Sequence, residues 1–100
     1  MKQINIIDYI PKGYENSISR KSLCAATGLK DRVVRNLIEE ARRTTIIISN
    51  NDGSGYWIFP DDPTAEEELL LNKFVQAQER RAKSIFYSLL PARKRVKGVR

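Results

Sequence analysis

The chain has 100 residues, with 18 Lys+Arg against 12 Asp+Glu and a formal net charge of +6. That length suits one domain, and the cationic excess favours polyanionic partners, nucleic acid ahead of an anionic membrane surface. There is no histidine and a single cysteine, Cys24, which excludes Ser-His-Asp and Cys-His nucleophiles, Cys/His zinc sites and an intrachain disulfide.

No apolar run approaches the length of a membrane span, and the opening MKQINIIDYIPK lacks a signal-peptide core. The expectation is a soluble, cytoplasmic protein with no cofactor, no metal and no membrane partner. Ile6, Ile7 and Ile10 fall at helical spacing before Pro11 and predict a short first helix over INIIDYI. PKGYENSIS is rich in turn formers, with Ile18 as its anchor into the core.

Ser19 is a suitable N-cap for a helix over about residues 20 to 27, with Leu23 and Ala26 inward beside Cys24. Cys24 reads as a small buried hydrophobe rather than a reactive thiol. Gly28 supplies the positive φ of a tight turn, and Leu29 plugs the core behind it. A second helix is predicted from about Lys30 to Arg42 or Arg43. Val34, Leu37, Ile38 and Ala41 form its apolar face. Arg32, Arg35, Asn36, Glu39 and Arg43 fall within about a third of the circumference on the opposite side.

TTIIIS (44–49) and YWIFP (56–60) are dense in β-branched and aromatic residues, and NNDGSG joins them as a hairpin loop. Alternation along the second strand places one of Tyr56 and Trp57 inward and the other at the surface. Pro60 and DDP end this region. Thr64 with Glu67 reads as a capping box, and a long helix follows at least to about Leu90. The opening residues Leu69, Leu70 and Leu71 are expected to cover the body. Pro91 predicts a kink or a stop rather than a smooth continuation. The tail of Arg93, Lys94, Arg95, Lys97 and Arg100 reads as a second DNA contact or as a solubilising end, with the second preferred.

The order helix, helix, glycine turn, helix, hairpin resembles a winged helix-turn-helix. The likeness lies in SRKSLCAATGL as first helix and turn, KDRVVRNLIEEARR as recognition helix and NNDGSG as wing tip. It implies a mainly α (α+β) fold, with a winged helix-turn-helix domain over 1–61 carrying a two-stranded β wing. Residues 62–100 then form a long C-terminal helix for packing and dimerisation. ISRKSLCAATGLKDRVVRNLIEEARR followed by NDGSGYWI is also similar to small phage and prophage proteins of Gram-positive bacteria. That kinship implies a mobile-element origin and fixes no biochemical activity.

In that architecture the first helix of the pair braces the second, which lies in the DNA major groove. The resemblance implies base contact by Arg32, Arg35 and Asn36, since arginine forks onto guanine and asparagine onto adenine. It implies phosphate contact by Arg20, Lys21, Lys30, Arg42 and Arg43. Asn50, Asn51 and Ser54 are the wing candidates, although the wing carries no cation from Thr44 to Pro60. The same helix face also reads as a solvated surface held by i,i+4 pairs, Arg35–Glu39 and Glu39–Arg43, and its carboxylates favour that alternative.

On the last helix, Leu71, Val75, Gln78, Ala82, Ile85 and Leu89 alternate steps of four and three, with Phe86 broadening the seam. A helix from Thr64 to Leu90 is about 40 Å long, longer than a small body is wide. The distal stripe therefore predicts a homodimer, against the alternative of a helix folded back on its own chain. The leading expectation is sequence-specific binding of double-stranded DNA by this dimer, in transcription control or replication initiation of a mobile element. The rival is a winged-helix adaptor that meets a replication or transcription protein without reading DNA. No enzyme is expected, because Asp31, Glu39, Asp52, Asp61 and Asp62 make no spaced pair in an evident pocket.

Overall fold

A computed structural model describes residues 4–50 and 52–98. Asn51 of the wing, Arg100 of the tail and the side chain of Lys97 lie outside the described residues. Among the described residues the chain is mainly helical with one antiparallel hairpin. Two 3-10 turns, Ile6–Tyr9 and Tyr14–Asn16, precede α1 (Arg20–Thr27) and α2 (Asp31–Ala41). Then come β1 (Ile47–Ser49), β2 (Tyr56–Ile58), α3 (Ala65–Ser88) and α4 (Leu90–Gly98).

The predicted first helix is only a 3-10 turn. Asn5 caps it through the Ile7 N–H, and Ile10 is already extended (φ −103°, ψ 120°), as the residue before a proline prefers. Four residues between these limits cannot hold an α-helix, yet Ile6 and Ile10 are still buried. In α1, Ser19 accepts the Ser22 N–H, and Gly28 ends the helix at φ 74° with its own N–H on the Cys24 carbonyl. Leu23 is fully buried and Cys24 packs partly against the core. Ala26, expected inward, is exposed; the short helix turns only a narrow face to the core. α2 buries Val34 and Ile38, flanked by half-buried Leu37 and Ala41. It stops at Ala41, where the N–H groups of Thr44 and Thr45 converge on the Ala41 carbonyl.

The hairpin pairs Ile47 with Ile58, Ile48 with Trp57 and Ser49 with Tyr56. Successive side chains point to opposite faces. Ile47 and Ile58 join Ile6, Ile10, Leu23, Val34 and Ile38 in the main core. Ile48 and Trp57 are buried on the other face, where the Tyr14 ring meets Trp57 edge-on at 5.8 Å and Phe59 lies at 6.2 Å. α3 also lies against β1. Both faces of the ribbon are therefore covered. Contrary to the alternation argument, neither ring is a surface group: Trp57 is fully buried, and Tyr56 is half-buried against the main core.

The free edge of β2 pairs with the chain ahead of α1. Ile18 and Tyr56 exchange N–H···O bonds of 2.9 and 2.8 Å, and the Ile58 N–H donates to Pro11. Gly55 makes this approach possible: at φ 143°, a Cβ there would overlap the Ile18 carbonyl.

Thr64 and Glu67 form the predicted capping box at the start of α3. Leu70, Leu71, Phe74 and Gln78 are half-buried on the body, whereas Leu69 is 63% exposed and does not join them. Every described side chain from Glu79 to Val96 is exposed, so the rest of α3 and α4 is an arm. Its projection gives a radius of gyration of 16.7 Å, against about 13 Å for a compact chain of this length. α3 ends at Ser88, and Pro91 falls in the first turn of α4, where a missing N–H costs least. Among the described residues no helix is long and apolar enough to cross a membrane.

Candidate nucleic-acid interface

The face of α2 opposite Val34 and Ile38 carries Arg32, Arg35, Asn36 and Glu39, all exposed, with Arg43 exposed just beyond the helix end. Lys30 is exposed at the N-cap position. The i,i+4 ion pairs of the alternative reading, Arg35–Glu39 and Glu39–Arg43, are not made. The one ion pair among the described residues joins Arg20 to Asp31, linking the start of α1 to the start of α2. Arg32, Arg35 and Arg43 thus keep their guanidinium groups available.

Arg20 is less free. It also donates to the Tyr56 hydroxyl at 3.4 Å, and that bond first, then Asp31, raises its pKa above the ordinary value. Lys21 beside it is exposed and lines a shallow recess with Asn50 and Gly53 of the hairpin.

Arg42 departs from the phosphate-contact expectation. Its Nε donates to the Ile47 carbonyl at 3.0 Å, and its guanidinium lies 5.0 Å from the Phe74 ring centroid. Burial lowers its pKa from the usual arginine value. Arg42 is the last turn's clasp on β1 and α3, with one buried nitrogen, Nη2, lacking any hydrogen-bond partner among the described residues. Charge counting along the sequence treats it like Arg43, because the position of α3 is a tertiary fact.

Asn50 also has an internal role. Its Oδ1 accepts the Trp57 indole N–H at 2.8 Å, and its Nδ2 donates to Ser17 and Ser54. Ser54 is exposed but receives that bond. The tip is mildly acidic: Asp52 is exposed, and the Ser54 N–H hydrogen bond lowers its pKa.

A cleft of about 580 Å³ separates the outward face of α2 from α3. Arg32, Arg35, Asn36 and Glu39 line one side; Phe74, Ala77, Gln78 and Arg81 line the other. Arg81 and Phe74 were not singled out for this site from sequence, although the polar break of the seam at Gln78 beside an arginine doublet marked the place. Of the seam residues, Leu71 and Gln78 are half-buried, while Val75, Ala82, Ile85, Phe86 and Leu89 are exposed. Among the described residues no His, Cys, Asp or Glu cluster could hold a metal ion. Comparison with protein-family models, curated proteins and solved structures finds no match to this chain.

Proposed function

We propose that this chain is a winged helix-turn-helix protein that binds double-stranded DNA, with α2 in the major groove. The observation that carries the reading is the division of α2 between two faces. Val34 and Ile38 are buried, while Arg32, Arg35 and Asn36 are exposed and unpaired by any carboxylate among the described residues. The pairing of Ile18 with Tyr56, which ties the hairpin to the chain before α1, supports the winged arrangement. Arg32, Arg35 and Asn36 read base edges; Lys30, Arg43, Lys21 and the exposed part of Arg20 hold phosphates. Two copies associate through the arm, whose Ile85, Phe86 and Leu89 are 53%, 48% and 47% exposed. In a mobile element, the origin that the likeness to phage proteins implies, such binding would serve control of transcription or replication initiation.

Titration of a random duplex at two salt concentrations tests the reading. Affinity should fall with a slope of about −0.9 per neutralised phosphate. Arg32→Ala with Arg35→Ala should erase sequence preference, and Lys30→Ala with Arg43→Ala should weaken all duplexes alike. A monomer in sedimentation at concentrations on the order of tens of micromolar would defeat the dimer.

One observation favours a protein-interaction adaptor instead: the tip of the hairpin presents Asp52 and no cation, and Asn50 is spent internally. Absence of any salt-dependent duplex binding would select that reading.

A further inference from the structure

The cleft between α2 and α3 holds an unusual balance of charge. Arg20, Arg32, Arg35, Arg42 and Arg81 line it, against the single carboxylate of Glu39. Only Arg20 has an ion-pair partner among the described residues. Gathering cations in one recess is unfavourable unless an anion completes it, and the cost rises as water is removed. Water is already partly removed at Arg42, which stacks on Phe74 and carries the partnerless, buried Nη2. Gln78 and Asn36 add uncharged hydrogen-bonding groups to opposite walls.

We infer that this cleft seats a phosphate group, held by Arg81 and Gln78 of α3 across from the base-reading face of α2. Guanidinium groups fork onto phosphate oxygens with two parallel N–H···O bonds. Resting on the proposed reading of α2, the phosphate belongs to the backbone of the bound duplex, so the strand runs between the recognition helix and the arm. Arg81 then contributes affinity in every sequence and discrimination in none. The arm has two tasks, an apolar stripe for a second copy and a cationic wall for DNA.

The experiment uses the whole chain, its Arg81→Gln variant and a Lys83→Gln variant. Lys83 is exposed on α3 about 200° around the helix from Arg81 and does not line the cleft, so it controls for net charge. Anisotropy of a labelled random duplex across salt should show Arg81→Gln weakening binding about tenfold and reducing the salt slope by about 0.9, with Lys83→Gln changing affinity less than about twofold. In parallel, inorganic phosphate is titrated against chloride at matched ionic strength, read on the side-chain amide of Gln78 by NMR. A phosphate-specific shift in the native chain that is lost in Arg81→Gln is expected. Duplex binding with equal effects of the two variants overturns the phosphate seat and leaves the DNA reading intact. A phosphate response without duplex binding keeps the seat, assigns it to a free phosphate compound and removes the DNA reading. No response in either titration overturns both.

Discussion

The indole N–H of Trp57 donates to the Oδ1 of Asn50, one strand-crossing away, at 2.8 Å. Trp57 is fully buried, so this bond is its only hydrogen-bonded exit from an apolar layer. Asn50→Ala should leave the indole N–H unsatisfied at a cost of about 1–3 kcal/mol. The check is a lowered urea midpoint at unchanged m-value, with duplex affinity of the folded protein unaltered. Normal stability with lost affinity would return Asn50 to the wing surface.

Gly55→Ala should be far worse than a surface change. The added methyl group overlaps the Ile18 carbonyl and the residue must keep φ 143°. Loss of at least about 1–3 kcal/mol is expected, seen as a drop in Tm. By contrast Gly28→Ala meets open space and suffers only its left-handed backbone, at about 1–2 kcal/mol.

Glu67 links the second 3-10 turn to α3, accepting the Tyr14 N–H at 2.8 Å and the Thr64 N–H at 2.9 Å. The Thr64 backbone bond first, then that of Tyr14, lowers its pKa below the ordinary carboxylate value. A carboxyl depressed on folding stabilises the fold fully above its unfolded pKa, and this contribution is lost as pH falls through the folded one. Acid titration of stability should therefore be shallower in Glu67→Gln than in the native chain. Thr64→Ala should cost about 1 kcal/mol at neutral pH by removing the cap.

The features legible from sequence were those written in local chemistry. The caps of Ser19 and Gly28 and the Thr64–Glu67 capping box are each bonds within four residues, and each formed where expected. Periodicity likewise separated Val34 and Ile38 from Arg32 and Arg35. What escaped depended on distant contacts. Arg42 and Arg43 are neighbours of one type, but only Arg42 meets Phe74, 32 positions further along. Asn50 reads as a loop residue until Trp57 is known to lie beneath it. The ladder between Ile18 and Tyr56 has no periodic signature, because a single paired residue cannot show alternation.

Removal of residues 79–100 should leave the body folded, since no described side chain from Glu79 to Val96 is buried. The urea midpoint of the remaining chain should correspond to a change within about 0.5 kcal/mol, measured through Trp57 fluorescence, and its sedimentation should be monomeric. Persistence of a dimer after truncation would move the self-association surface onto the body.

Trp57 and Ile58 are adjacent along the chain yet occupy separate apolar compartments, one on each side of a ribbon only two strands wide. An inserted residue within either strand would turn the ribbon inside out, driving the indole into space shaped for an isoleucine and emptying its own. The same insertion between Asp52 and Ser54 would merely lengthen a solvent loop. The hairpin therefore tolerates length variation at its apex and none along its sides.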